Sequence, residues 1–153
     1  MIWSDYLIKH NRLLTPFNDE LVQPNSYDLT LDNVIEVDGV KVELPYLMKP
    51  NNFILGSTIE TVKLPNKVVA QVDGKSSLGR KGLIVHFTAG WIDAGFKGQI
   101  TLEMMCLHKP ILLEAGMKIA QIIFQDAHPS TKLYGECKNH YQNQKGATKA
   151  WDE

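Results

Sequence analysis

Runs of alternating apolar and polar residues recur along most of the chain, and this period of two is typical of β-strands with one buried face. The alternation predicts strands over residues 29–31, 40–44, 53–55, 59–64, 68–72, 83–87, 100–107 and 117–124. Asp38-Gly39 is predicted to form a hairpin turn between the first two. Seven prolines and eleven glycines interrupt the runs and leave little room for long helices. The pattern therefore predicts an all-β fold, β-rich with short helices.

The two ends of the chain differ from this pattern. Near the start, Ser4 is a candidate N-cap with Asp5 in the first turn, which predicts a short helix before Asn11. After about residue 135 the apolar periodicity is lost and the chain becomes polar. We therefore predict one domain over residues 1–134, and a tail over residues 135–153 that is either disordered or becomes ordered on a ligand or a neighbour.

Composition and charge narrow the functional classes. The 153 residues suffice for one domain, and 44% hydrophobic and 22% charged residues are typical of a soluble globular protein. A formal net charge of -1 gives no broad basic surface for nucleic acid, and no apolar run approaches the roughly 20 residues that cross a bilayer. The first residues show no signal-peptide pattern. We expect a cytoplasmic protein with no nucleic-acid or membrane partner, and with Cys106 and Cys137 reduced.

One carboxylate interrupts the most apolar of the predicted strands, residues 100–107. Alternation places Glu103 on the face opposite to the core-facing residues Ile100, Leu102, Met104 and Cys106. Two interpretations remain open. The side chain is either an outward-facing or salt-bridged glutamate, or a desolvated carboxylate whose raised pKa suits proton transfer near neutral pH.

Two glycine-rich segments are candidates for ligand binding. Residues 73–82 combine three cations, two hydroxyls and three glycines, and such donors can hold a polyphosphate, although the P-loop order is absent. The alternative is a solvated basic turn. Residues 88–98 form the second segment, in which Asp93 could accept a hydrogen bond from a sugar hydroxyl. Its alternative is a plain connection in which the aspartate stabilises a turn.

Zinc-dependent deaminases need an H-x-E motif and a later P-C-x-x-C motif. None of the five histidines here is followed two positions later by glutamate, and the two cysteines are 31 positions apart. A dedicated zinc site is therefore not expected.

Six stretches, taken in order, resemble the dCTP deaminase branch of the trimeric dUTPase-like superfamily. They cover nearly the whole chain and comprise residues 23–29, 74–82, 88–98, 100–103, 116–121 and 141–146. Residues 74–80 and 88–93 are most similar to those of the bifunctional, dUMP-forming members. The resemblance implies a distorted β-barrel of the dUTPase-like type, assembled as a homotrimer with active sites shared between subunits.

The resemblance also implies a chemistry. Glu103 matches a carboxylate that takes a proton from water as the water attacks C4 of dCTP, and that passes protons towards the leaving ammonia. Ser76 and Arg80 match the residues that position the water and the base. Three hypotheses remain: a bifunctional enzyme that forms dUMP and pyrophosphate, a deaminase that releases dUTP, and a dUTPase or silent nucleotide-binding regulator. Glu103 with Ser76 and Arg80 argues against a plain dUTPase.

Further positions are implied to bind the nucleotide. Lys75, Ser77 and Gly79 match groups beside the phosphates, and Asp93 matches the group on the deoxyribose. The backbone at Thr101 and Leu102 would contact the edge of the pyrimidine. The remaining matches are Leu78, Ala89 and the triphosphate-side residues Gln121, Tyr134 and Gln144. The resemblance implies Mg²⁺ bound with the triphosphate of dCTP or dUTP, without a dedicated protein cage.

The tail, residues 135–153, resembles an arm that closes over bound nucleotide and excludes bulk water. The family usually has a lysine immediately before the tyrosine of its Tyr-Gln motif, where this chain has His140. Lys138, two residues earlier, is the alternative cation for this position. Ala94 also stands where the family commonly has proline.

Overall fold

β-Strands dominate the computed structural model, which describes residues 1–138 and 141–150. The strands are β1 (Leu14–Thr15), β2 (Tyr27–Thr30), β3 (Val34–Val37), β4 (Val40–Glu43), β5 (Tyr46–Met48), β6 (Phe53–Lys63), β7 (Val68–Gly74), β8 (Leu83–Ile84), β9 (Trp91–Ile92), β10 (Lys97–Cys106), β11 (Ile111–Leu113) and β12 (Lys118–Asp126). The helical segments are α1 (Asp5–Asn11), α2 (Ser76–Gly79) and 3-10 turns at Asp19–Leu21 and Tyr134–Glu136. None of the described helices is long and apolar enough to span a membrane. The prediction of a β-rich fold with short helices is confirmed.

The strands form antiparallel sheets built around two long strands, β6 and β10. These two pair along most of their length at the centre of a sheet with the order β4-β3-β6-β10-β8, and β1 pairs with another part of β6. A four-stranded sheet has the order β2-β12-β7-β9, and β5 pairs with β11. β8 pairs with β10 only at Met105 and Cys106, which leaves the edge of the first half of β10 available to other segments.

Alternation along β10 determines which face of this strand meets the core. Ile100, Leu102, Met104 and Cys106 are buried, whereas the residues between them are partly exposed. Fully burying a side chain as large as leucine or methionine contributes about 1.5–3 kcal/mol, so the apolar face resists exposure. A register slip of one residue would place Glu103 in the core. The core therefore holds Glu103 on the opposite face.

A buried polar cluster connects the two larger sheets beside β10. Glu60, in β6, is 2% exposed and accepts hydrogen bonds from the backbone N–H of Thr30 at 3.0 Å and from its hydroxyl at 2.7 Å. The register of β6 against β10 shifts at this point. The Thr58 hydroxyl donates to the Glu60 carbonyl at 2.8 Å and accepts from the Ile100 N–H at 3.0 Å. The cluster thus sets the path of β10 three residues before Glu103.

Several predicted boundaries are wrong. The Asp38-Gly39 turn has positive φ angles of 47° and 84° and joins β3 to β4. It does not join residues 29–31 to residues 40–44 as predicted, because residues 29–31 belong to or follow β2 in the other large sheet. The strands predicted over 53–55 and 59–64 are one strand, β6, because the less apolar residues between them are also buried and paired. The strand predicted over 83–87 ends at Ile84, where its pairing with β10 ends.

Other differences concern the shortest elements. Strands β1, β3, β5, β9 and β11 were not predicted, because two to four residues are too few to show a period. Helix α1 is confirmed, although the Ser4 side chain makes no capping hydrogen bond.

Candidate active site

A cavity of about 600 Å³ lies on the outer face of β10 and contains both carboxylates singled out in the sequence, Glu103 and Asp93. We call it the β10 pocket. Its walls are largely aromatic and aliphatic and include Phe53, Leu55, Ala89, Trp91, Phe96, Ile100, Thr101, Tyr134, Tyr141, Gln144 and Thr148. Its size is within the range of small-molecule sites, roughly 300–1,000 Å³.

The Glu103 carboxylate is held by the backbone of the segment that follows β8. Its Oε2 accepts a hydrogen bond from the Phe87 N–H at 3.2 Å. The ion pairs among the described residues do not include Glu103. A salt-bridged Glu103 therefore has no support within the described residues. The side chain does face outward, because it is partly exposed on the face of β10 that lines the pocket.

Asp93 lies between two aromatic residues of the same pocket. Its Oδ1 accepts a hydrogen bond from the Trp91 indole N–H at 3.2 Å. The Tyr134 ring packs edge-on against Phe96 with centroids 5.4 Å apart. Burial raises the pKa of the Tyr134 hydroxyl, with smaller contributions from Tyr141 and Asp93, so this hydroxyl stays protonated at neutral pH.

Residues 141–150 of the arm pack along the available edge of β10. The Gln99 N–H donates to the Gln144 carbonyl at 3.1 Å, and the Gln144 side-chain amide donates to the Gln99 carbonyl at 2.7 Å. The Thr148 N–H donates to the Thr101 hydroxyl at 3.2 Å. These bonds place Tyr141, Gln144 and Thr148 in the wall of the β10 pocket.

A second cavity, of about 590 Å³, lies beside the end of α2, and we call it the cationic groove. It is lined by Arg80, Lys81, His108 and Lys109 together with Leu78, Pro110, Ile111, Leu112 and Met117. Arg80 is exposed, as are Ser76 and Ser77 at the beginning of α2. These residues can contact an anion without first losing a partner.

Two donors expected beside the phosphates already have partners. The Leu78 and Gly79 N–H groups donate to the Lys75 carbonyl at 3.0 and 2.9 Å, because α2 closes a helical turn. The turn closed by α2 therefore already uses the backbone N–H groups of these two positions. Among the described residues, the side chains of Ser76, Ser77 and Arg80 make no hydrogen bond and are available as donors.

Lys75 and Gln121 lie on the inner side of the same segment. The Lys75 ammonium is paired with the buried carboxylate of Asp28, which also lies 3.5 Å from the Lys118 ammonium. The Gln121 amide accepts from the Ser26 hydroxyl and donates to the Gly74 carbonyl, each at 3.2 Å. These contacts connect β2, β7 and β12 where α2 begins.

The remaining predicted positions are spread over the molecule. Ala89 lines the β10 pocket. The Leu102 side chain is fully buried in the core, so its backbone alone is available to a base. Lys138 is exposed and does not line the β10 pocket, and His140 lies outside the described residues.

One chain therefore carries Glu103 and Asp93 in one cavity and Arg80 in another. Ser76 and Arg80 do not line the β10 pocket, and neither Glu103 nor Asp93 lines the cationic groove. Within residues 1–138 and 141–150, no group of three His, Cys, Asp or Glu residues is placed to hold a metal ion.

Several pocket residues were missed in the sequence. Trp91 and Phe96 stand in the glycine-rich segment 88–98, where aromatic residues close to Asp93 in the sequence indicated a possible ligand surface. Phe53 and Thr148 lie far from these motifs along the chain, and no local pattern indicates that they reach the pocket.

Known proteins resemble this chain over most of its length. A family model described as dCTP deaminase-like matches residues 40–127, more than half of the chain, including α2 and β10. A relative from Dictyoglomus turgidum, named dCTP deaminase, dUMP-forming, is 39% identical over 97% of this chain and 93% of its own length. The chain belongs to the dCTP deaminase-like family. The resemblance recognised in the sequence is confirmed.

Solved structures show that the fold is shared with deaminases and dUTPases. The 2'-deoxycytidine 5'-triphosphate deaminase from Agrobacterium tumefaciens has a TM-score of 0.74 and 22% identity, over 83% of this chain and 48% of that one. This dCTP deaminase-like chain thus spans about half the length of the Agrobacterium protein. A dUTPase mutant from phage phi11 of S. aureus, with a structural Mg(II) ion, has a TM-score of 0.52 and 16% identity over 74% and 85% of the two chains. The predicted dUTPase-like fold is confirmed.

Proposed function

We propose that this protein hydrolyses the exocyclic amine of dCTP and carries the product on to dUMP and pyrophosphate. The observation that carries the proposal is the position of Glu103, whose carboxylate faces the β10 pocket beside Asp93 while the Phe87 N–H holds one oxygen. The names of the relatives support the dUMP-forming outcome, since dCTP deaminase, dUMP-forming, is the name of the Dictyoglomus protein.

In the proposed deamination Glu103 acts as the base. It takes a proton from water as the water oxygen bonds to C4, and it passes this proton to N3 of the base. It then moves the proton of the new C4 hydroxyl to the exocyclic nitrogen, so that the C4–N bond breaks, ammonia leaves and a C4 carbonyl remains. A second water would cleave the bond between the α- and β-phosphates, which yields dUMP and pyrophosphate. Asp93 has one oxygen on the Trp91 indole and would use the other to accept from a deoxyribose hydroxyl.

The proposal requires that two subunits share each site. Ser76 and Arg80 would position the water and base, yet in one chain they lie away from the β10 pocket. The cationic groove of one subunit against the β10 pocket of the next would complete the site, and a closed ring of three subunits satisfies this head-to-tail contact. Phe53 and Phe87, each 49% exposed and 6.2 Å apart between centroids, form an apolar surface suited to such an interface.

The triphosphate would lie towards α2. Ser77 and Arg80 would donate to its oxygens, while Gln144 and Tyr134 would approach it from the arm side. Mg²⁺ would come with the nucleotide, since the described residues contain no acidic trio and this ion favours phosphate oxygens and water. Mg²⁺ bound with the nucleotide would offset part of the negative charge of the phosphates. Unpaired cysteines and a nucleotide substrate also favour a cytoplasmic location.

The test is to incubate the full-length protein with dCTP and excess Mg²⁺, with a zinc chelator, and to separate the nucleotides by chromatography. We expect dUMP and pyrophosphate without accumulation of dUTP. Accumulating dUTP would identify a deaminase that stops after the first step. Hydrolysis of dUTP with dCTP unchanged would show a dUTPase and would overturn the proposal.

A further inference from the structure

The side chain of Gln142 joins the arm to the loop that carries Asp93. Its amide nitrogen donates to the Gly95 carbonyl at 3.0 Å, and its amide oxygen accepts from the Lys97 N–H at 2.9 Å. These two backbone groups lie on either side of Phe96, which lines the β10 pocket. One side chain thus provides both a donor and an acceptor to a segment that ends four residues beyond Asp93.

Glycines make room for this contact. A Cβ on Gly135 would lie 2.8 Å from the Gln142 amide nitrogen, and one on Gly98 would lie 3.2 Å from the backbone nitrogen of Gln144. Gly95 has a φ of +85°, and a Cβ there would lie 2.7 Å from the Cβ of Leu133. Gly98 thus leaves room for the arm at the start of β10, and Gly135 leaves room for the Gln142 amide.

Beyond Gln142, the arm continues along β10 through the bonds of Gln144 to Gln99 and of Thr148 to Thr101. Thr101 is two residues before Glu103 on the same face of the strand. The arm, Asp93 and Glu103 therefore belong to one connected unit, whereas Arg80 lies in a different cavity.

We propose that Gln142 is a positioning residue that attaches the arm to the Asp93 loop of its own subunit, so that the arm closes over the same active site that its own Glu103 serves. Gln142 does not touch the substrate itself. It holds Tyr141 and Gln144 in the pocket wall, and the cationic groove of that site comes from a neighbouring subunit. This inference rests on the proposed function and deepens it.

Kinetics of the Gln142→Ala variant give the first test. Two hydrogen bonds are lost, and we expect the KM for dCTP to rise about tenfold with kcat changed less than about threefold. Gln142→Glu is expected to behave like the alanine variant, because a carboxylate cannot donate to the Gly95 carbonyl. Gly135→Ala, which presses on the amide from the other side, is expected to raise KM by a smaller factor.

Gln125→Ala is the matched control, because it is the same glutamine-to-alanine change in β12. The Gln125 side chain has no hydrogen bond among the described residues. We expect its KM and Tm to equal those of the unmodified protein. An unchanged KM for Gln142→Ala, or a KM change that follows a fall in Tm, would overturn the positioning role.

Mixed oligomers test which subunit the arm serves. A mixture of Arg80→Ala and Glu103→Gln chains, each inactive alone, should regain activity at about one quarter of its sites if two subunits share each site. Failure of this mixture would contradict the shared site itself, and hence the proposed function rather than the role of Gln142.

Given that recovery, Gln142→Ala chains are mixed with each inactive chain in turn. With Arg80→Ala chains, some sites combine an intact arm and Glu103 with an intact groove, so activity with the normal KM should appear. With Glu103→Gln chains, every site lacks either Glu103 or the attached arm, so the KM should stay high. The reverse pattern would show that the arm serves a neighbouring site and would overturn the inference.

Discussion

At the scale of the residue, the proposed chemistry depends on where a single carboxylate points. Glu103 lies between Leu102 and Met104, which are fully buried, and the core therefore keeps its side chain on the pocket face. One carboxylate oxygen accepts from the Phe87 N–H, which leaves the second to contact water. The orientation of the Glu103 side chain follows from the packing of Leu102 and Met104 on the other side of the strand, and not from a contact of Glu103 itself.

Glu103→Gln preserves the size of the side chain and its ability to accept from Phe87 but removes the base. We expect deamination to fall by about 10²–10⁴-fold or more, while nucleotide binding is retained. Chromatographic rates and titration calorimetry with dCTP measure the two effects. Glu114→Gln, at an exposed position, serves as the control. Turnover near that of the unmodified protein would exclude Glu103 as the base.

At the scale of the element, the register shift between β6 and β10 lies where the pocket-facing side of β10 begins. Glu60 is buried there, and burial raises its pKa above the ordinary value of 4.5 more than the hydrogen bonds from Thr30 lower it. The folded chain consequently binds this proton more tightly than the unfolded chain does. The resulting stabilisation is complete below about pH 4.5 and is lost as pH rises through the raised pKa.

Glu60→Gln should remove this pH dependence, because glutamine does not titrate and can still exchange hydrogen bonds with Thr30. We expect the free energy of unfolding of the variant, relative to the unmodified protein, to rise as pH increases from about 4.5 and then to level off. Urea unfolding over a pH series measures the difference, with Glu114→Gln as the control. A difference in the free energy of unfolding that is the same at every pH would contradict the raised pKa of Glu60.

The arm is an element with few core contacts of its own, so its loss should affect binding more than folding. A chain that ends before Tyr141 lacks the bonds of Gln144 and Thr148 to β10. We expect the KM for dCTP to rise at least about tenfold, with Tm nearly unchanged. Steady-state kinetics and calorimetric scans provide the comparison. Unchanged Michaelis parameters would count against a closing arm.

At the scale of the whole molecule, the proposed site exists only in an assembly. The β10 pocket and the cationic groove are separate in one chain, so isolated subunits should be folded but inactive. We expect light scattering to give three times the 17.3 kDa of one chain, and specific activity to fall on dilution as the trimer dissociates. Full activity from a monomer would show that one chain completes the site.

Much of the site was predictable because its residues cluster along the chain. Residues 73–82 and 88–98 were identified from their local composition, and Glu103 from an interrupted alternation. The roles assigned to them remain predictions. The partners of Lys75 and Gly79 were not predictable, since whether a donor is free depends on the turn that α2 closes and on Asp28, which is 47 positions from Lys75.

The sequence by itself determined the β-rich class, the core-facing side of β10 and the family, because period, composition and ordered motifs are local properties of the chain. Tertiary structure alone decided that β6 is one strand, that Phe53 and Thr148 reach the β10 pocket, and that Arg80 lies apart from Glu103. The physical reason is that pairing and burial join segments tens of residues apart. The free energies of pairing and burial depend on which segments are neighbours in the folded protein, and the sequence of one segment alone does not specify them.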